Sequence, residues 1–204
     1  MERKQHWEQI YTGKPTDRLG WYKPRLQTSL DWIRSLELPP DAPVIDVGGG
    51  ASTLVDDLLG DGHAAITVLD ISDAALSLLR DRLGDDALKV DWVIGDITST
   101  ELPAGYFDLW HDRATFHFLT EPEQQQLYRQ NLLKSLKPGG HLIIGVFAPE
   151  APPKCSGLPV QRYDFELLAK TFGAEFELHR HHKEMHVTPG GIEQMYLYCQ
   201  FGRK

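Results

Sequence analysis

The chain has 204 residues, 41% apolar and 25% charged, the profile of one ordinary globular domain and not of a disordered chain. Its 21 basic and 29 acidic residues give a net charge of −8, and the only dense basic run, His179–Lys183, is followed at once by Glu184, which argues against nucleic acid as a partner. No stretch approaches the ~20 consecutive apolar residues of a membrane span, and Cys155 and Cys199 make neither a disulfide framework nor a zinc spacing, so a cytoplasmic setting is expected. The polar start of the chain, residues 1–6, has no apolar core behind it and does not read as a secretory signal.

Residues before about Lys23 are polar with scattered aromatics, Trp7, Tyr11, Trp21 and Tyr22. Leu26, Leu30, Ile33 and Leu36 then recur at helical spacing, and Pro39-Pro40 stops that helix. Pro43–Val47 reads as a short strand ended by Gly48-Gly49-Gly50. A helix is expected over about Ser52–Leu59, with Thr53 and Asp56 spaced to cap it. Ala65–Leu69 reads as a buried strand, Asp73–Leu83 as a helix, Lys89–Ile94 as a third strand and Phe107–His111 as a fourth.

Thr120–Glu123 has the form of a capping box with proline in the first turn of a helix to about Leu136. Pro138-Gly139-Gly140 follows it, and His141–Phe147 is the fifth strand. The alternation implies a parallel sheet covered on both faces. The rhythm then changes: a proline-rich loop to about Gln161, a helix over Asp164–Phe172, and two strands over Glu175–Val187 and Glu193–Phe201 joined by the turn residues Thr188–Gly191. A parallel core therefore ends in an antiparallel hairpin.

The triple glycine lies where ligands bind in open α/β sheets, beyond the carboxyl end of a strand, and the next helix points free N–H groups at the same spot. Asp70 ends the next strand 22 residues after Gly48, the spacing of an acid that accepts hydrogen bonds from ribose hydroxyls. A plain turn role for Asp70, with Ser72 capping the following helix, is the structural alternative. The dinucleotide fingerprint G-x-G-x-x-G fails at Thr53, and Asp46, two residues before the first glycine, would repel a pyrophosphate and suit a cationic ligand.

Asp46–Gly50 resembles motif I of class I S-adenosylmethionine (SAM) dependent methyltransferases. In that family's order follow Asp70-Ile71, like the ribose-binding acid, Asp96-Ile97 in Gly95-Asp96-Ile97, like the adenine loop, and Phe107–Asp112, like the fourth strand. Leu136–Gly140 is similar to the turn into the fifth strand. Gly49 fills a position variable in the family, and Ser52 replaces a frequent third glycine. The resemblance implies an α/β Rossmann-like fold with a seven-stranded sheet, a parallel core, a reversed C-terminal strand and helices on both faces. It implies one domain: a flap and helix at 1–38, a SAM-binding core at 40–147, and a substrate-side loop, helix and hairpin at 148–204.

His6–Tyr11 with Gly20-Trp21-Tyr22 resembles the N-terminal flap of the thiopurine/tellurite methyltransferases and of the lysine methyltransferases acting on citrate synthase and elongation factor 1A. The resemblance places Trp7, Tyr11 and Trp21 over the cofactor; anchoring of the segment on the core is the alternative. His111–His117 is expected as the substrate wall, His111 touching the cofactor and Asp112, Arg113 and His117 serving catalysis: Asp112 orienting an amine or the SAM amino group, Arg113 binding an anionic substrate group or Asp112, His117 acting as a base or as a hydrogen-bonded wall residue. Gln161–Tyr163 and Met185-His186 are placed at the border of the substrate pocket by topology.

In regular alternation His179 and His181 would face one way and His182 and His186 the other, two per face and too few for a metal site. The expected activity is methyl transfer from SAM to a small thiol, metalloid or amine; the alternatives are a lysine side chain on a protein, an NAD-dependent oxidoreductase, or a nucleotide-binding module without catalysis.

Overall fold

The computed structural model describes residues 2–204, so Met1 of the polar N-terminal run lies outside the described residues. Among them, no helix is long and apolar enough to cross a membrane. Strands β1 (Val44–Val47), β2 (Ile66–Asp70), β3 (Val90–Ile94), β4 (Phe107–Arg113), β5 (Leu136–Phe147), β6 (Phe176–Val187) and β7 (Glu193–Arg203) form one sheet in the order β3-β2-β1-β4-β5-β7-β6. β1 to β5 pair in parallel, and β7 runs antiparallel to both β5 and β6. Six strands thus share a direction and β7 is reversed, the Rossmann-like arrangement expected.

Strands β1 and β2 are buried at every residue because both sheet faces are covered. One face carries α2 (Gln27–Arg34), α3 (Leu54–Gly60) and α4 (Asp73–Leu83), whose Leu30, Ile33, Leu54, Leu58, Leu76 and Leu79 pack on Val44, Ile66, Val68 and Leu109. The other carries α5 (Pro122–Ser135) and α6 (Phe165–Phe172), whose Tyr128, Leu132, Leu168 and Phe172 pack on Ile45, Val47, Trp110 and Ile144. Ser72 caps α4 by accepting from the Ala75 amide (3.2 Å), and Asp164 caps α6 by accepting from Leu167 (2.8 Å).

Several local expectations are corrected. Thr53 donates its hydroxyl to the Lys23 carbonyl, Asp56 pairs with Arg82, and the Ser52 hydroxyl takes the Leu54 amide at the start of α3. Glu121 precedes α5 without a side-chain cap, so the capping box does not form, although Pro122 does occupy the first turn. Residues 136–140 belong to β5, not to a stop before it, because Leu136 pairs with Phe107 across an irregular register. The segment before Gln161 contains a small hairpin, Lys154–Cys155 against Leu158–Pro159. Residues 2–13 form helix α1, whose sequence carries no clear apolar stripe.

The register of β6 against β7 shifts between Leu178 and Arg180, which breaks the alternation expected for the histidines. His179 turns toward His141 and Gly202, while His181 stacks on Phe165 of α6 at 4.1 Å. Among the described residues no group of three His, Cys, Asp or Glu side chains is placed to hold a metal ion.

Strand alternation at the end of β4 decides much of the site. Asp112 turns toward α5, where the Tyr128 hydroxyl donates to Oδ2 (2.8 Å) and accepts from Trp110 Nε1 (2.8 Å). Tyr128→Phe leaves both groups unsatisfied in a fully buried setting and is expected to cost ~1–3 kcal/mol, read as a lower urea midpoint at constant slope. An unchanged midpoint would mean this network does not hold β4 to α5.

Candidate active site

The carboxyl ends of β1, β2, β3 and β4 open into a cleft of about 720 Å³. Its lining includes Gly48, Asp70, Ile71, Asp96, Ile97, Arg113, Trp7, Tyr11 and Trp21, which brings nine of the sixteen residues singled out from the sequence to one place. A second hollow of about 460 Å³ lies beside it and adds Asp46, Gly49, Ser52 and His111; Gly48, Trp21 and Arg113 border both. Gly50 lines neither but underlies Tyr11 and Asp70.

The glycines are dictated by space. Gly48 and Gly50 have φ of +67° and +47°, which side chains adopt at a cost. A Cβ on Gly48 would run into the Thr115 side chain, one on Gly49 would come within 2.7 Å of Asp46 Oδ2, and one on Gly50 would strike the Tyr11 hydroxyl. The amides of Gly48 and Gly49 both point to the Leu69 carbonyl (2.7 and 3.3 Å), which ties the loop to the end of β2.

Asp46 is almost fully buried. Its Oδ1 meets His111 Nδ1 at 2.7 Å, and His111 Nε2 meets the Ser29 hydroxyl of α2 at 2.9 Å. His111 is therefore held between two protein groups and orients Asp46. The other oxygen, Oδ2, is buried without a partner, an acceptor suited to an ammonium group.

Asp70 accepts the Ser72 amide on Oδ1 (2.8 Å), and burial, with Asp46 nearby, pushes its carboxyl up to about 7. Asp96 shapes its own turn by accepting from the Thr98 amide and hydroxyl (2.9 and 2.7 Å), and it pairs with Arg3 of α1 at 2.9 Å.

The N-terminal segment closes over this cleft. Trp7 makes edge contacts with Trp21 and Phe118, and Trp21 with Tyr11. Glu8 reaches the start of α4, accepting from the Asp73 amide (2.9 Å), the Ala74 amide (3.1 Å) and the Ser72 hydroxyl (3.0 Å). Burial pushes the Glu8 carboxyl up, yet these donors at the positive end of a helix hold it below the ordinary range. Lys23 and Thr28 both bind Glu184 of β6, and His186 Nε2 meets the Gly20 carbonyl at 2.8 Å.

The expected catalytic residues separate. Asp112 lines neither hollow; both its oxygens are committed, Oδ1 to the Thr115 and Phe116 amides (3.0 and 3.3 Å) and Oδ2 to Tyr128, while burial pushes it up to about 6. It shapes the turn over residues 114–118, in which Ala114 has φ +69°. His117 also lines neither, accepts the Phe147 amide on Nδ1 (3.2 Å), and is pushed by burial down to about 3, so it is neutral.

Arg113 does face the cleft. It donates from Nε to the Tyr198 hydroxyl and from Nη1 to the Trp21 carbonyl, both at 2.9 Å, and lies 4.5 Å over the Tyr196 ring. None of the expected border residues, Gln161, Arg162, Tyr163, Met185 and His186, lines either hollow. The residues sequence reasoning missed include Arg3, Glu8, Phe118, Leu119 and Cys155; the aromatic Phe118, close behind the substrate wall, was the one with a sequence signal.

Comparisons with known proteins agree with this geometry. Residues 44–140 match the family described as a methyltransferase domain. EEF1A lysine methyltransferase 2 of Danio rerio is 24% identical over 155 residues, 69% of this chain and 66% of its own length. Nodulation protein S of Rhizobium tropici is 31% identical over 116 residues, 55% of this chain and 46% of its own length. The chain thus spans less than two thirds of these relatives. In fold it is similar to a SAM-dependent methyltransferase from Anabaena variabilis (TM-score 0.75, 15% identity, 100% of this chain and 96% of that one). It is similar too to the N-methyltransferase NodS from Bradyrhizobium japonicum crystallised with S-adenosylhomocysteine (0.66, 17%, 87% and 86%).

The raised carboxyl of Asp70 has a stability consequence. A folded-state value above the unfolded one contributes stability that is complete at low pH and is lost as pH rises from about 4 towards 7. Asp70→Asn is expected to raise the melting temperature of the ligand-free protein at pH 8, by ~2–4 °C per kcal/mol relieved, and to leave it nearly unchanged at pH 4. Equal shifts at both pH values would show that Asp70 carries no such cost.

Proposed function

Because residues 44–140 match the methyltransferase-domain family, we propose that the chain is a class I SAM-dependent methyltransferase that transfers a methyl group from SAM to a small-molecule acceptor bearing a thiol, a metalloid centre or an amine. The observation that carries this reading is the closed cleft at the carboxyl ends of the strands, with Asp70, the glycine bend and an aromatic lid around one space. When bound, SAM supplies an electrophilic methyl on a sulfonium.

The chain's own residues then have distinct tasks. Asp70 accepts from ribose hydroxyls. Asp96 and Ile97 border the base. Gly48 to Gly50 let the ligand approach the backbone, and the free Oδ2 of Asp46 takes the α-ammonium, with His111 fixing its direction. Trp7, Tyr11 and Trp21 exclude water and offer ring faces or edges to the cationic donor, each good contact worth ~0.5–2 kcal/mol. Catalysis on this reading is mainly positioning, which can supply ~7–11 kcal/mol. Asp112 and His117 act by holding the 114–118 turn and the start of the following loop, not by moving protons.

The turning of Asp112 and His117 away from both hollows favours an acceptor that is already nucleophilic. A lysine acceptor is the second reading, favoured by the likeness to the Danio rerio relative over 155 residues.

Calorimetry with SAM, S-adenosylhomocysteine and NAD tests the donor. Both adenosyl ligands should bind and NAD should not; preference for NAD would overturn the assignment. Asp70→Ala is expected to weaken SAM by ~1.5–3 kcal/mol. Since hydroxyl donors favour the ionised carboxylate, SAM affinity of the wild type should also rise between pH 6 and 8 with release of a proton, measured as a buffer-dependent binding enthalpy. A screen with tritiated SAM over thiols, metalloid oxyanions, amines and lysate proteins tests the acceptor; label confined to a protein band would replace the small-molecule reading by the lysine one.

A further inference from the structure

We propose that Arg113 is an anion anchor at the acceptor end of the cleft, so that the methyl acceptor carries a carboxylate or comparable oxyanion apart from its nucleophilic atom. The inference rests on the methyl-transfer reading and narrows its substrate class.

A guanidinium carries five N–H donors in a planar fork. Arg113 spends Nε on Tyr198 and Nη1 on the Trp21 carbonyl, and Tyr196 lies against its face. These neutral partners fix the fork without neutralising it. Nη2 is buried and has no partner. Burial draws the group toward neutrality, but Tyr198, Tyr196 and Glu184 hold it above the ordinary arginine range, so it remains charged.

Among the described residues no acid forms an ion pair with it, although Glu184 attracts it from a distance. Glu184 of β6 is taken by Lys23 and Thr28, and Asp112, next in sequence, points through the other face of the sheet to Tyr128. The Cys155 thiol is pushed up by burial to about 11 and is neutral. The neighbouring imidazoles of His117 and His186 are pushed down by burial and add no cation that would satisfy an anion elsewhere.

Arg113 is half-buried, but a buried N–H donor left unsatisfied on a charged group is costly, and truncation of such contacts is among the largest effects on recognition. An oxyanion is the group that removes the cost, because a guanidinium fork matches two oxygens. Trp7, Trp21 and Phe118 stand in edge contact along the same cleft, beside Leu119 and Cys155, so the body of the acceptor is apolar and planar enough to lie between rings. An approaching alkylammonium meets a fixed like charge instead, which disfavours lysine as the acceptor.

The test uses the whole chain saturated with S-adenosylhomocysteine and two probes of similar size and opposite charge, phenylacetate and 2-phenylethylammonium, in calorimetry. Phenylacetate is expected to bind at least about tenfold more tightly. Arg113→Gln, which also frees the Trp21 carbonyl, should lower phenylacetate affinity about tenfold more than it lowers S-adenosylhomocysteine affinity, and Arg113→Lys should fall between. Circular dichroism and melting establish that the variants fold; the comparison of the two probes on the wild type needs no variant. Equal binding of the probes, no phenylacetate binding, or a tenfold loss of S-adenosylhomocysteine affinity in Arg113→Gln with phenylacetate unchanged would overturn the anchor; the last outcome would give Arg113 to the donor's own carboxylate. Failure of the wild type to bind S-adenosylhomocysteine would instead overturn the methyl-transfer reading.

Discussion

The bend after β1 has no room for one additional carbon atom, and most of the site follows from that constraint. Each of three successive glycines is closed off by a different element: Thr115 from the loop after β4, Asp46 and Val68 from the strands beneath, and Tyr11 with Asp70 from the lid and β2. The bend is thus the point at which two strand ends, the substrate-side turn and the N-terminal segment are held at fixed distance from one another. Bulk at the bend would displace all of them together, since interiors packed at this density shift rather than compress. The same lack of side chains leaves the backbone as the surface that a ligand meets.

Around the bend, three buried carboxylates and the half-buried Arg113 are handled in different ways. Asp112 has a full set of donors and acts as part of the scaffold. Asp46 is half satisfied, by His111. Asp70 has the Ser72 amide but is otherwise desolvated, and its carboxyl is pushed up to about 7. Arg113 is held by neutral partners and keeps one donor free. Incomplete satisfaction lowers the stability of the ligand-free protein, and among these four charged groups it falls on the three that border the hollows. The groups that are fully satisfied, Asp112 above all, point away from them. This division separates binding residues from supporting ones more sharply than residue type does.

The sheet, its order of elements and the cofactor motif were legible in the sequence because each rests on local pattern. Short apolar runs, an acid at a strand end and a glycine bend recur at distances that loop closure permits. The role of Asp112 was not legible, because it depends on which face of β4 a residue takes and on Tyr128, sixteen positions on. His117 was misleading for a related reason: histidine suggests a base, but the Phe147 amide and burial make it a neutral structural acceptor. The β6 histidines were assigned by strict alternation, and one register shift at Leu178–Arg180 moved His179 to another neighbourhood. Capping motifs failed where a tertiary partner offered a better bond, as Lys23 does for Thr53.

Helix α1 shows how far tertiary contacts can define an element that local sequence does not. An isolated helix of 12 residues with no apolar stripe is marginal in water. Here its aromatic residues meet Trp21 and Phe118, and Glu8 serves as the acidic partner that the amino terminus of α4 favours, so the two helix ends stabilise each other's placement. The Arg3–Asp96 pair is partly exposed and adds at most ~1 kcal/mol. The strap at residues 20–23 is held otherwise, by Arg113, His186 and Glu184 through the Trp21 carbonyl, the Gly20 carbonyl and the Lys23 ammonium. The lid therefore rests on apolar faces and one helix end, whereas the strap is tied by charged and polar groups to the hairpin and to the end of β4. Arg113 belongs to both the strap and the cleft wall, and so the position of the strap and the presentation of the free Nη2 are set by the same side chain.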